Sequence, residues 1–167
     1  MGAKIALIMV GCFCTISSCT SSAQAVNIEF RSDTIIRPGD DFEIVSVYNT
    51  PPDVTTVHMF GGSVYRFRAY DSSTVNIFGG ELEWGGVLWD SSTLNIYGGT
   101  ITLDTPLFTD SSTLNIYGGD VFMGAPSAEG SSTINIYGYN FSEFPAFSLT
   151  GYLSDGSPFH FIELTYA

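Results

Sequence analysis

The chain has 167 residues, and 17 Asp and Glu against 5 Lys and Arg give it a formal net charge of −12. Residues 69–167 contain 11 carboxylates and no Lys or Arg. Because proteins bind phosphate groups through Lys and Arg, this composition argues against nucleic acid and anionic membranes as partners. Neutral sugars and divalent cations remain compatible small partners.

The first 25 residues predict an export signal. Lys4 precedes an apolar run from Ile5 to Ile16, and Ala23-Gln24-Ala25 has the small-x-small pattern that signal peptidase accepts. This run is shorter than the roughly 20 residues that a membrane span needs. We therefore predict cleavage after Ala25, a secreted or cell-surface protein, and no transmembrane span in the mature chain.

Cys19 offers an alternative to simple release. Ile16-Ser17-Ser18-Cys19 resembles a bacterial lipobox, in which Cys19 would be lipidated and become the first residue of a lipoprotein. All three cysteines lie in this leader segment. The mature chain is therefore expected to have no disulfide and no cysteine metal site.

Residues 26–53 predict an N-terminal cap and a partial first coil of a repeat structure. Strand-like segments at both ends of this stretch surround a charged centre that includes Arg31, Arg37 and Asp40. Such a cap is expected because an uncovered end of a repeat exposes unpaired backbone and invites end-to-end association.

A ten-residue phrase repeats through the middle of the chain. Asp-Ser-Ser-Thr-Leu-Asn-Ile-Tyr-Gly-Gly occurs at 90–99 and unchanged at 110–119, with near copies at 71–80 and 130–139 and a degenerate copy at 54–62. A fixed period of about 20 residues indicates a repeat architecture. The period divides residues 54–149 into five predicted coils: 54–70, 71–89, 90–109, 110–129 and 130–149.

The alternation within each coil is that of a β-strand. In the copy at 90–99, Leu94 and Ile96 are predicted to point inward, whereas Thr93, Asn95 and Tyr97 point outward. The alternation resumes after Gly-Gly, and a shorter apolar segment closes the coil. The inward pairs predicted after Gly-Gly are Leu82 and Trp84, Ile101 and Leu103, and Val121 and Met123.

Short strands that begin with the same phrase every 20 residues favour stacked coils, because stacking places each phrase above its copy at the strand spacing of about 4.8 Å. The predicted fold is all-β, a single-stranded parallel β-helix (β-solenoid) with about 20 residues per coil and a cap at each end. The general chirality preference favours a right-handed solenoid.

Each letter of the phrase has a predicted structural role. Gly-Gly permits the positive φ angles of one corner, and Asp with two serines bonds its side chain to nearby backbone amides at another corner. The stacked asparagines are predicted to form an amide ladder. Its members are Asn76, Asn95, Asn115 and Asn135.

Residues 150–167 predict a C-terminal cap hairpin. Two apolar segments flank Ser154-Asp155-Gly156-Ser157, a turn sequence of the kind that reverses a hairpin.

The repeated coils, the export signal and the closing segment from Leu149 to Pro158 resemble secreted bacterial β-solenoid proteins, many of which carry a PEP-CTERM-type sorting tail. The resemblance covers roughly residues 45–160 and implies the architecture rather than an activity. This chain departs from the pattern because no Pro-Glu-Pro motif, apolar span or basic terminus follows the repeat. We therefore do not expect sorting by that machinery.

Asp71, Asp90 and Asp110 open three successive coils and form the first candidate site. Stacked carboxylates about 5 Å apart repel one another unless they are bridged, so a row of Ca²⁺ ions is one hypothesis, and no other cofactor is expected. The alternative is turn capping at a solvated edge, where screening weakens the repulsion. The coils lack the Gly-Gly-x-Gly-x-Asp pattern of calcium-binding β-rolls, which favours turn capping.

An outward row of aromatic side chains forms the second candidate site, beside Asn95 and Asn115. Rings, amides and hydroxyls together could bind sugars, which would make the protein a carbohydrate-binding module. Alternatively, neighbouring rings stack on one another and cover the Gly-Gly corner. The members of the row are Phe60, Phe78, Tyr97, Tyr117 and Tyr137.

A polysaccharide lyase or hydrolase is the third hypothesis, since solenoid enzymes of this kind line a cleft with carboxylates. The sequence offers only loose clusters, and none has a diagnostic catalytic spacing. The clusters are Glu81 and Glu83 with Trp84, and Arg66 and Arg68 with Asp71; His58 and His160 lie far apart.

The favoured interpretation is an exported, non-catalytic β-solenoid that acts as a structural or interaction module at or beyond the cell surface. Extracellular polysaccharide and surface proteins are its expected partners. A carbohydrate-binding module is the alternative, and a polysaccharide lyase or hydrolase is the second alternative.

Overall fold

The computed structural model describes residues 26–104, 106–124, 126–144 and 148–162. The predicted export signal and residues 163–167 lie outside the described residues. Within the described ranges, every regular element is a β-strand. No helix in this part of the chain is long and apolar enough to cross a membrane.

The strands follow the predicted coils. The first five are β1 (Val26–Phe30), β2 (Thr34–Ile36), β3 (Asp41–Val47), β4 (Thr56–Met59) and β5 (Ser63–Ala69). The next nine are β6 (Thr74–Ile77), β7 (Glu81–Leu82), β8 (Gly86–Leu88), β9 (Thr93–Ile96), β10 (Thr100–Leu103), β11 (Leu107–Phe108), β12 (Thr113–Ile116), β13 (Asp120–Met123) and β14 (Ser127–Ala128). The last four are β15 (Thr133–Ile136), β16 (Gly138–Phe144), β17 (Ser148–Leu153) and β18 (Pro158–Ile162).

A six-stranded parallel sheet carries the repeated phrase, in the order β15-β12-β9-β6-β4-β2. Thr93 pairs with Thr74 on one side and with Thr113 on the other, so identical letters of the phrase lie in register. The stacked strands are therefore 19 or 20 residues apart along the chain. This pairing confirms the β-solenoid.

A twelve-stranded sheet forms the rest of the coil wall. β3 and β5 are single long strands, but β5 pairs with both β7 and β8, and the sheet divides there. One branch continues from β7 to β10 and β13, and the other continues from β8 to β11 and β14. Early coils therefore have two strands, whereas later coils have three.

The interior is a ladder of apolar side chains. Leu94 and Ile96 are fully buried, as are Leu114 and Ile116 on the next coil, which confirms the inward positions of the phrase. Burying one such side chain stabilises a protein by about 1.5–3 kcal/mol. Since Val26 onward contains no cysteine, this ladder and the backbone pairing hold the described coils together.

The inward prediction for Trp84 is wrong. Leu82 is fully buried, but Trp84 is 42% exposed. Its indole stacks on Tyr65, with ring centroids 5.9 Å apart, and the Arg66 guanidinium lies 4.8 Å from the indole centroid. The reason is that β7 ends at Leu82, so the alternation of the strand does not reach Trp84; Gly85, at φ 97°, then turns the chain into β8.

The two ends of the solenoid differ. At the N-terminal end, β1 begins at Val26 and pairs in parallel with β3. At the C-terminal end, β16, β17 and β18 form an antiparallel meander. β18 pairs in parallel with β13, with Phe159 beside Val121, and so occupies the place where the next coil would add a strand.

Candidate functional site: the repeated outward positions

The asparagines form a continuous ladder on the outer surface of the six-stranded sheet. Each Nδ2 donates to the Oδ1 of the preceding coil: Asn95 to Asn76 at 2.8 Å, Asn115 to Asn95 at 2.8 Å, and Asn135 to Asn115 at 2.9 Å. His58 occupies the same row, with its Nδ1 3.5 Å from Asn76 Nδ2. The predicted amide ladder is present, and its polar groups are largely used between coils.

The outward aromatic side chains form a second row, in which each ring lies flat on the next. Successive centroids are 5.0, 4.9, 4.9 and 4.3 Å apart, and the ring planes differ by 5° to 12°. Burial and the hydrogen bond with the Tyr137 hydroxyl raise the pKa of Tyr117 above its ordinary value. Neighbouring rings therefore cover the faces of Phe78, Tyr97 and Tyr117, and these three present mainly their edges to solvent.

The aspartates of the phrase connect coils at one corner. Asp71, Asp90 and Asp110 adopt φ angles of 59°, 57° and 59°, and Gly130 takes the equivalent place at 70°. The Asp71 amide donates to Asp90 Oδ2 at 3.0 Å, and the Asp90 amide donates to Asp110 Oδ2 at 3.3 Å. Asn49 supplies the corresponding amide to Asp71 Oδ2 at 3.2 Å.

This arrangement corrects the predicted role of these carboxylates. We expected each Asp to bond to amides of its own turn, but its partner lies one coil earlier. The turn itself closes through backbone groups, with Ser92 N donating to Trp89 O at 3.1 Å. The left-handed φ of the Asp is the physical reason, because it directs the side chain along the stack rather than across the turn.

The aspartate row does not assemble a cluster of metal ligands. Within the described ranges, no three His, Cys, Asp or Glu side chains are grouped so that they could hold an ion. One oxygen of each of Asp71, Asp90 and Asp110 accepts a backbone hydrogen bond. A row of Ca²⁺ ions would have to use the remaining oxygens, and it stays a prediction.

The Gly-Gly pairs are required for two different reasons. The second glycine has a positive φ, for example 101° at Gly99 and 100° at Gly119. The first glycine allows close approach of the coils, since a Cβ on Gly98 would lie 2.8 Å from Phe78 O. Any side chain at this corner would therefore strain the backbone or separate the stacked coils.

The structure contains a second aromatic stack that the sequence reasoning missed. Tyr48, Tyr70 and Trp89 stack with centroids 4.4 and 4.5 Å apart, and the Arg31 guanidinium lies 4.5 Å from the Tyr48 centroid. Burial, then the hydrogen bond with Tyr48, raises the pKa of Tyr70. The available signal was position, because Tyr70 and Trp89 each directly precede the Asp of a phrase.

Asp155 fastens the C-terminal turn to the last Gly-Gly corner. Its Oδ2 accepts from the Gly119 amide at 2.9 Å, and its Oδ1 accepts from the Ser157 amide at 2.9 Å and from the Ser157 hydroxyl. Burial acts to raise the pKa of the Asp155 carboxyl. The hydrogen bonds from Ser157 and Gly119 outweigh burial, and the pKa lies below its ordinary value.

The residues considered for catalysis are distributed rather than gathered in a cleft. Glu83 Oε1 accepts from Ser63 Oγ at 3.2 Å, and it lines a shallow depression of about 330 Å³ together with Asp41 and Glu43. Arg66 lies over Trp84. The two histidines are on strands at opposite ends of the stack, His58 on β4 and His160 on β18.

Comparison of the chain with protein-family models, with curated proteins and with solved structures gave no match. The geometry of the described residues therefore carries the functional interpretation.

Proposed function

We propose that the protein is an exported, non-catalytic β-solenoid that serves as a structural or interaction module at or beyond the cell surface. The observation that carries this proposal is the use of the repeated outward side chains. The Asn, Asp and aromatic letters bond to or stack on their own copies in adjacent coils. Side chains employed in this way stiffen a rod, and they do not converge on a reacting group.

Export is supported by the leader sequence and by the position of the first strand. β1 begins at Val26, the residue that follows the predicted cleavage point. Because the chain from Val26 onward lacks cysteine, its fold does not depend on whether the compartment oxidises thiols. The acidic surface is suited to solubility outside the cell rather than to binding nucleic acid or anionic lipid.

Sugar binding by the aromatic row is the second candidate. Stacking on a sugar requires a free ring face, and in this row the faces of the central rings are already covered. What remains available is the ring edges, the free N–H of each Asn amide and the Thr hydroxyls. This geometry favours hydrogen bonding to a chain-like neutral glycan over stacking on single sugars.

Processing of the leader tests the proposal. The full chain would be expressed in a bacterial host and the cell fractions compared, with the N-terminus determined by mass spectrometry. We expect a product that begins at Val26 outside the cytoplasm, that is unaffected by Cys19→Ala and lost in Ala23→Leu. Lipidation at Cys19 would reverse the effects of these two variants. A cytoplasmic product that retains Met1 would contradict the proposal.

A glycan array tests the second candidate. The native protein would be compared with the Tyr97→Ala/Tyr117→Ala double variant. Retention of a neutral polysaccharide by the native protein, weakened in the variant, would support sugar binding by this row, whereas no retention by the native protein would eliminate it.

A further inference from the structure

Both ends of the solenoid leave strands paired on one side only. Among the described strands, β14 pairs with β11 alone and β15 with β12 alone. At the opposite end, β1 pairs with β3 alone and β2 with β4 alone. We use "C-terminal end" for β14 and β15, and "N-terminal end" for β1 and β2. Strand edges of this kind are templates for pairing with another chain.

The interior is also less covered at the C-terminal end. Ile134 and Ile136 of β15 are half-buried, whereas the equivalent Leu114 and Ile116 one coil earlier are fully buried. Ala128 of β14 is exposed. The meander of β16, β17 and β18 extends the sheet above β13, and it leaves these positions on the neighbouring walls open in the described part of the chain.

The two ends are complementary in charge. The second aromatic row starts at Arg31, which lies over Tyr48. Backbone bonds from Thr109 N to Leu88 O and from Glu129 N to Phe108 O continue that row to Glu129, which is exposed. The row therefore begins with a cation at the N-terminal end and finishes with a carboxylate at the C-terminal end.

The first aromatic row shows the same polarity. Phe60 N donates to Ile36 O, which places the exposed Arg37 next to Phe60 at the start of the row. The row ends at Tyr137, which is 41% exposed. A guanidinium over a tyrosine ring is a favourable cation–π pair. All four arginines of the mature chain lie before residue 69, so an acidic C-terminal end can acquire such a partner only from another molecule.

We propose that the occupant of the C-terminal end is a second copy of this chain, docked head to tail. The coil register carries β2 of the second copy over β15 and β1 over β14. It aligns Phe30 of the second copy with Ala128, Arg31 with Glu129, and Arg37 with the ring of Tyr137. The interface is heterologous, so its repetition produces short filaments rather than closed dimers.

Head-to-tail assembly rests on the proposed function, because it names the partner of the interaction module. The two can fail separately. Leader processing is measured by mass spectrometry on the same preparation, whereas assembly is measured by sedimentation as a function of concentration.

Charge-reversal variants test the assembly. Purified native protein is expected to increase in average mass with concentration in 0.15 M salt. Arg31→Glu and Glu129→Arg should each weaken association by roughly tenfold, since like charges would then face each other. Glu81→Arg has the same change in net charge on a side wall and is the matched control, expected to behave like the native protein. Circular dichroism verifies that each variant is folded.

A mixture of the two variants supplies the decisive comparison. Arg31→Glu retains a native C-terminal end and Glu129→Arg retains a native N-terminal end, so the mixture should associate where each variant alone does not. A native protein that stays monomeric, or a mixture no heavier than its components, would overturn the proposal. Native protein that associates only after deletion of residues 163–167 would also overturn it, since the chain's own terminus would then be the occupant.

Discussion

Asn95 donates a hydrogen bond from Nδ2 to Oδ1 of Asn76 over 2.8 Å, and the same bond recurs from Asn115 to Asn95. A middle asparagine therefore takes part in two inter-coil bonds, whereas Asn135, the last in the row, donates only to Asn115. This difference separates the value of the ladder from the value of an asparagine at any exposed position.

We predict that Asn95→Ala lowers the free energy of unfolding by about 1–3 kcal/mol, because two half-buried amide groups lose their partners. Asn135→Ala removes one bond and should cost roughly 0.5–1.5 kcal/mol. Urea denaturation of the two variants measures the difference. Equal losses would mean that the bonds of the ladder contribute nothing beyond local propensity.

Gly99 provides a test of the corner geometry. A Cβ at Gly99 would lie 2.8 Å from Gly80 O in addition to requiring a positive φ, whereas a Cβ at Gly39 meets nothing within 4 Å at a similar φ of 96°. We expect Gly39→Ala to cost about 1–2 kcal/mol through backbone strain alone. Gly99→Ala should cost clearly more, because adjacent coils must separate. Comparable melting temperatures for the two variants would contradict the close stacking at this corner.

The third letter of the phrase predicts an unusual response to alanine. Ser92 and Ser112 are fully buried, and within the described structure their Oγ atoms have no hydrogen-bond partner. Ser112→Ala should therefore leave stability unchanged or raise it by up to about 1 kcal/mol, since burying a hydroxyl without a partner is unfavourable. Ser73 is the matched control, because its hydroxyl donates to Val47 O at 3.4 Å, and Ser73→Ala should destabilise slightly. A marked loss in Ser112→Ala would show that its hydroxyl is bonded.

Acid should weaken the attachment of the C-terminal turn through Asp155. Its pKa in the folded protein is lowered, so its contribution to stability is present above the unfolded pKa of about 3.9 and is lost as the pH falls through the folded value. Thermal melts from pH 7 to pH 2 should show Asp155→Asn below the native protein at neutral pH, with the gap closing below about pH 4. Asp120→Asn, beside the same corner, is the control. A gap that stays constant with pH would contradict the role of the carboxylate.

Calcium is expected to have little effect on the aspartate row. Each of Asp71, Asp90 and Asp110 already holds a backbone amide with one oxygen. We predict the same melting temperature in EDTA and in millimolar Ca²⁺. An increase with Ca²⁺ that disappears in Asp90→Asn would instead establish a metal site along this corner.

Much of the wall of the solenoid followed from local pattern. Leu94 and Ile96 point inward, Asn95 joins a ladder and Tyr97 stacks on Tyr117, all as the alternation predicted. These outcomes were accessible because a copy of the phrase recurs every 19 or 20 residues, and equal letters in equal coils must meet once the strands are in register.

The candidate site was less accessible. The row of Asp71, Asp90 and Asp110 was identified, but its hydrogen bonds run between coils, because the left-handed φ of each residue directs the carboxylate along the axis. Trp84 was assigned to the interior, yet β7 ends two residues before it. Neither the end of a two-residue strand nor the sign of φ at a non-glycine residue is written in an alternation pattern.

The sequence by itself determined the period, the inward and outward letters and the glycine corners, since each depends on residues that are neighbours in the chain or copies in the next coil. Only the tertiary structure decided that Arg31 covers the stack of Tyr48, that Asp155 binds the Gly119 amide, and which strand edges stay open. Those relationships join non-equivalent segments, 17 residues apart in the first case and 36 in the second, and their meeting depends on how the coils and the terminal meander are stacked in space.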